Sequence, residues 1–254
     1  MGMLLTRRTM LASLGVAASL RAANTHVRAG CLITAASFDE MLVSLKEVQA
    51  LGYTGFTTTM RLLQTRAEDV RAQLSDTGLD LIGLRATLPK SAELGNERAL
   101  EDLSRIAMAA KQFGARTLML HSAGLGKFKP EELDAKAKFF DLCARRCKET
   151  GVIFIYRTQE AEFQNEAAEV SGLVSKTDKN ITYYDFDLAR APEAIAFFRD
   201  NPSRTFAMEA PFADSALKVH DLGAAVKHTK WISWLIDAVP GAESRGVLKR
   251  VFSI

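Results

Sequence analysis

Arg157, Gln159, Glu160 and Glu162 stand within six residues of one another, directly after the apolar run 152–156. Asp185 lies in a second short apolar run, 181–186, and Glu209 closes a third, 205–208. Carboxylates of this kind can serve as general bases, as ligands for a hard cation, or as partners of an arginine. Asp185 and Glu209, joined by Glu160 or Glu162, could coordinate Mg²⁺ or Mn²⁺. Two carboxylates and an arginine make an equally sound salt-bridged network. Arg157 can hold an anionic ligand group bidentately or pair with Glu209. Gln159 adds an amide for substrate hydrogen bonding. His121 ends a fourth apolar run, 117–120, where it could act as a base or a substrate-binding donor. In Tyr184-Asp185-Phe186-Asp187 the expectation is that Asp185 faces the site and Asp187 faces away.

Such groups need elements to carry them to one place. Residues 152–156 have the length and apolar character of a strand buried on both faces. That strand follows a long helical pattern, starting at Pro130 and ending at Gly151. The same phrase recurs along the chain. A strand at 27–34 precedes a helix at 38–51, in which Met41, Leu42, Leu45, Val48 and Leu51 recur at three- and four-residue spacing and Gly52 closes the pattern. Strands follow at 55–60, 79–88, 117–121, 152–156, 181–186 and 205–208. Helices are expected from a capping box at Thr65 and Glu68 to Gly78, from Asn96 to Gly114, over 167–175, and from Pro192. Seven strand–helix phrases imply parallel strands with right-handed crossovers, and therefore an α/β fold of the (β/α)8 TIM-barrel type. A doubly wound open sheet would want a glycine-rich turn after the first strand, and residues 34–37 (Thr-Ala-Ala-Ser) do not supply it. An eighth strand at 230–236 is only weakly signalled, which allows a barrel irregular or incomplete at its end. Residues 243–252 read as a helix.

The 254 residues include 33 Lys and Arg against 30 Asp and Glu, a net charge of +3, with the basic residues scattered. That balance gives no footprint for nucleic acid. At the N-terminus, Arg7-Arg8 precedes an apolar stretch, 11–20, too short to span a bilayer, and small residues follow to Ala23. This pattern predicts a twin-arginine export signal over residues 1–23, delivery to the periplasm or another extracytoplasmic space, and no stable membrane anchor after processing. Residues 24–254 then form a single domain. Cys143 and Cys147, four apart on one helix face, read as small apolar residues rather than a disulfide. No nucleophile elbow, Walker motif, HExxH or zinc-type cysteine pairing is present.

Several segments together resemble the xylose isomerase-like TIM-barrel superfamily, in particular its sugar phosphate isomerase/epimerase group. Leu51-Gly52-Tyr53-Thr54-Gly55-Phe56 resembles its LGY-x-G lead into the second strand, residues 114–121 its fourth strand, and residues 151–163 its "YHNH-xx-EF" fifth strand. Asp185 falls at its sixth-strand aspartate, and residues 203–209 at its "GR-xxx-H-x-KD" segment. The resemblance implies a divalent metal held by two Glu, an Asp and a His, and proton transfer beside a sugar carbonyl. On that pattern Asp185 and Glu209 are the metal ligands and Glu209 or Glu162 is the base. Arg157, His121 and Gln159 bind a carbohydrate-like small molecule. The sequence also departs from the pattern. Thr57 stands at the second-strand glutamate, Arg157-Thr158-Gln159 at His-Asn-His, and Glu209 at the seventh-strand His; the eighth-strand glutamate has no obvious counterpart. The resemblance thus implies either an exported isomerase/epimerase or a non-catalytic carbohydrate-binding barrel without its metal.

Overall fold

In a computed structural model of the chain, the description covers residues 27–59, 67–88, 97–122, 129–158, 160–188, 194, 197, 200–214 and 232–252. The export-signal segment, the Thr65 cap, Gln159, the start of the Pro192 helix, His220, His228 and Trp231 lie outside these residues.

Eight parallel strands close into one barrel in chain order. They are β1 (Arg28–Leu32), β2 (Gly55–Thr59), β3 (Asp80–Leu88), β4 (Thr117–Ser122), β5 (Ile153–Arg157), β6 (Thr182–Asp187), β7 (Thr205–Ala210) and β8 (Trp234–Asp237). The weakly signalled eighth strand is real. It pairs with β1 from Arg28–Trp234 to Cys31–Asp237, and with β7 from Ala207–Trp234 to Ala210–Asp237, so the barrel is complete. Four residues suffice because pairing on both sides satisfies β8, a tertiary circumstance that local sequence does not encode.

The described helices outside the barrel are α1 (Phe38–Leu51), α2 (Ala67–Asp76), α3 (Glu97–Gln112), α4 (Leu133–Thr150), α5 (Gln164–Lys176) and α6 (Ala242–Phe252). The helix α1 starts where Ser37 Oγ accepts from the Glu40 amide. Gly151 ends α4 at φ 81°, and its N–H donates to the Lys148 carbonyl, turning the chain into β5.

Side-chain alternation sorts the strands into two apolar layers. Phe56, Leu84, Leu118, Leu120, Phe154, Tyr156, Tyr184, Phe186, Met208 and Leu235 join the large core between barrel and helices. Ile82, Met119, Ile155, Ala207, Trp234 and Ile236 form a smaller core inside the barrel. Trp234 plugs its lower end, and a Cβ at Gly55 would lie 2.7 Å from the indole, so only glycine leaves room there. Arg28 covers the same ring, 3.9 Å from its centroid. Above this plug the inward faces turn polar.

Candidate functional site in the barrel mouth

The carboxyl ends of β3 to β7 deliver Arg85, His121, Arg157, Asp185, Asp187 and Glu209 to one region. Each lies on the inward face, alternating with residues of the outer core such as Leu84, Leu120, Tyr156, Phe186 and Met208. Strand register sets His121 beside Arg157, Arg157 beside Asp185, and Asp187 beside Glu209.

Glu209 is the anchor. Arg157 grips it bidentately, Nη1 to Oε2 at 2.9 Å and Nη2 to Oε1 at 2.7 Å. Arg85 Nη2 donates to the same Oε2. Arg157 Nη2 also donates to Asp187 Oδ2 at 3.0 Å. Burial pushes the Glu209 carboxyl up, but Arg85, Arg157 and their hydrogen bonds outweigh that and hold it below the usual range. Arg157 is thus the partner of Glu209, and its guanidinium is committed before any ligand arrives.

Asp185 behaves differently. It is fully buried (0 % exposed), and neither carboxyl oxygen has a hydrogen-bond partner. Burial is the largest cause pushing its carboxyl up to about 7, with Glu209 and Asp187 adding to the rise and Arg157 and Arg85 opposing it. Two other inward groups share this lack of partners: Arg85 Nε and Thr57 Oγ1. His121 meets Thr87 Oγ1 at 3.0 Å. Its basicity is lowered first by burial and then by Arg157 and Arg85, so it is a neutral imidazole near pH 7.

The structure therefore brings Arg157, Asp185, Glu209 and His121 together and adds two residues. Asp187 was expected to face away, but residues two apart on a strand share a face, and it pairs with Arg157. Arg85 was not singled out at all. The signal was present, because an arginine inside the apolar run 81–88 needs a buried partner.

Glu162 lies elsewhere. It sits in a one-turn helix, Glu160–Phe163, after β5 and accepts from Lys136 Nζ at 2.6 Å and from the Tyr156 hydroxyl. Tyr156 points outward and packs on Phe140 of α4, with ring centroids 4.3 Å apart. Glu162 therefore belongs to the helix layer rather than to the group around Glu209. An acidic residue does end β8, namely Asp237, but it too shares the outer face, where it accepts from the Tyr53 hydroxyl and from the Val239 amide.

The described surroundings of Glu209 are those of an ion pair rather than of a metal ligand. Both Glu209 oxygens already accept from guanidinium groups, and Asp187 is held by Arg157. Among the described residues no group of three or more His, Cys, Asp or Glu is placed to share a metal. Where the Asp185–Glu209 ligand pair was expected, the structure shows an arginine-clamped Glu209 beside an unpartnered Asp185.

The family model "Xylose isomerase-like TIM barrel" matches residues 45–186, more than half of the chain, and the protein belongs to that family. A search of curated proteins gave no match. Among solved structures the chain is similar to a 3-keto-D-glucoside 4-epimerase from E. coli, with 15% identity and a TM-score of 0.70 over 90% of this chain and 100% of that one. It is similar to a sugar phosphate isomerase/epimerase from Parabacteroides distasonis, with 12% identity and a TM-score of 0.65 over 89% and 93%. A D-psicose 3-epimerase from Clostridium cellulolyticum H10 gives 13% identity and a TM-score of 0.66 over 89% and 91%. At these identities the likeness is one of fold.

Proposed function

We propose that the protein is a carbohydrate-binding barrel of the sugar isomerase/epimerase type, with its ligand site in the mouth and an arginine–carboxylate network in place of a metal. The observation that carries this reading is the double guanidinium clamp on Glu209 beside a buried carboxyl, Asp185, whose oxygens have no protein partner. A buried polar atom without a partner is costly, and a hydroxyl-bearing ligand would relieve that cost. Family membership supports the ligand class, since several of the similar solved structures are named as sugar epimerases or isomerases. Any proton exchanged with a ligand here falls to Asp185, among the described residues the mouth carboxyl whose ionisation is raised toward neutrality.

The competing reading is metal-assisted proton transfer next to a sugar carbonyl. Metal analysis of protein purified without chelator, together with thermal melts in EDTA and in Mn²⁺, separates the two. The proposal expects no stoichiometric divalent ion and an unchanged melting temperature on adding Mn²⁺. A bound ion at unit stoichiometry, lost on Asp185→Ala, overturns it.

We further propose that residues 1–23 direct export by the twin-arginine route, on the strength of Arg7-Arg8, the short apolar stretch and the small residues up to Ala23. N-terminal sequencing of the extracytoplasmic protein should find a start near Asn24. The double substitution Arg7→Lys, Arg8→Lys should leave the precursor in the cytoplasm, and unaltered delivery would end this reading.

A further inference from the structure

The charges inside the mouth carry a consequence for the ligand. Among the described residues, five ionisable groups other than His121 face one another there: Arg85, Arg157, Asp185, Asp187 and Glu209. The two guanidinium charges are matched by Glu209 and Asp187, to which they are hydrogen-bonded. With Asp185 neutral this set sums to zero, and with Asp185 ionised it sums to −1, so among the described residues of the mouth no positive charge is left over in either state. His121 adds none, because burial, joined by the two arginines, lowers the basicity of its ring. A phosphate or carboxylate brought into this space would have to displace Glu209 from Arg157, exchanging one buried ion pair for another while stranding a buried carboxylate.

The atoms without partners ask for different chemistry. Asp185 offers two acceptor oxygens when ionised and one donor with one acceptor when protonated, Arg85 Nε offers one donor, and Thr57 Oγ1 a hydroxyl that can do either. Arg85 is itself a buried side chain, 9 % exposed, and Thr57 is fully buried. A hydroxyl donates to a carboxylate and accepts from a guanidinium at the same time, which an anion cannot do. Their strand positions put all three groups on the interior face of the barrel, the face that a ligand in the mouth would meet.

We infer that the inner end of the site takes an uncharged, hydroxyl-rich part of the ligand, a sugar or glycoside ring rather than a phosphate ester or a sugar acid, with Asp185, Arg85 Nε and Thr57 as the specificity-determining groups. The inference rests on the proposed carbohydrate-binding role and narrows it.

The test is calorimetric titration of the full chain with matched sets: a neutral hexose or its methyl glycoside, the corresponding uronic acid, and the corresponding sugar phosphate. The neutral member should bind at least about ten-fold more tightly than either anion. Asp185→Asn should weaken the neutral ligand by about ten-fold or more. Thr57→Val, nearly isosteric, gives a second variant should Asp185→Asn fail to fold, and it should weaken the same ligand by a smaller factor. An anionic member that binds as tightly as its neutral parent, or more so, overturns this inference and leaves the carbohydrate-binding proposal standing. Binding by no member of any set, or neutral binding that neither variant alters, overturns the proposed site and the inference with it.

Discussion

The chain buries charge in two places, and the two are built to opposite specifications. On the outside of the barrel, Lys136 of α4 stands between Glu162 and Glu169 and donates to both, while the Tyr156 hydroxyl donates to Glu162. No buried side-chain atom of these four residues lacks a partner. Inside the mouth, Arg85, Arg157, Asp187 and Glu209 are tied together, yet Asp185, Arg85 Nε and Thr57 are left open. The first cluster is a clamp that fixes the segment after β5 to the helix layer. The second keeps part of its hydrogen-bonding capacity unspent, at a cost to stability that a purely structural network would avoid.

This contrast can be broken experimentally, and the largest effect is expected from the outer clamp. Lys136→Ala removes the counter-ion that Glu162 and Glu169 share and should destabilise the fold by about 3–5 kcal/mol, the usual loss when a buried pair is broken from one side. Chemical denaturation measures this. The triple variant Lys136→Met, Glu162→Gln, Glu169→Gln should recover much of the loss, and a mild effect of Lys136→Ala alone would show that the clamp is not structural.

The next effect is a few kcal/mol, and it depends on pH. Asp185 has a folded-state ionisation raised to about 7 from an ordinary value of 3.8. Between those values the unfolded chain has released the proton that the folded chain still holds, so this group lowers stability steadily as pH rises from about 4 to about 7. Asp185→Asn removes the titration. Its stability relative to the unaltered protein should therefore climb across that window and level off above it. A constant difference from pH 4 to pH 8 would show that Asp185 is not held protonated by burial.

The smallest effect sharpens the comparison. Thr57→Val deletes a buried hydroxyl that has no partner, so it should leave stability unchanged or raise it by about 1 kcal/mol. The same substitution at Thr177, whose hydroxyl donates to the Leu173 carbonyl and meets the Tyr184 hydroxyl, should cost about 1–3 kcal/mol. Equal effects at the two threonines would erase the distinction between open and satisfied groups.

Much of this architecture was legible in the chain. The apolar runs ending at Tyr156, Phe186 and Met208, each preceded by an amphipathic helix or a glycine stop, place β5, β6 and β7 within a residue or two. Strand ends in a parallel barrel share one rim, so the expectation that Arg157, Asp185 and Glu209 meet followed from fold class alone. The expectations for Asp187, Glu162 and the metal did not follow in the same way. Asp187 was set aside although alternation puts it on the face of Asp185. Glu162 lies just past its strand, where a single helical turn decides between mouth and outer layer, and no periodicity survives in four residues. Arg85 belongs to a strand far from Glu209 in sequence, and pairing across 124 residues leaves no local trace.

The sequence alone determined the barrel, the rim on which its chemistry sits and the polar residues offered there, because side-chain alternation and helix periodicity are properties of neighbouring residues. The tertiary structure decided which of those residues neutralise one another. Closure of the barrel carries Arg85 across to Glu209 and leaves Asp185 as the carboxyl without a hydrogen-bond partner, since ion pairing depends on distance in space and barrel closure sets that distance.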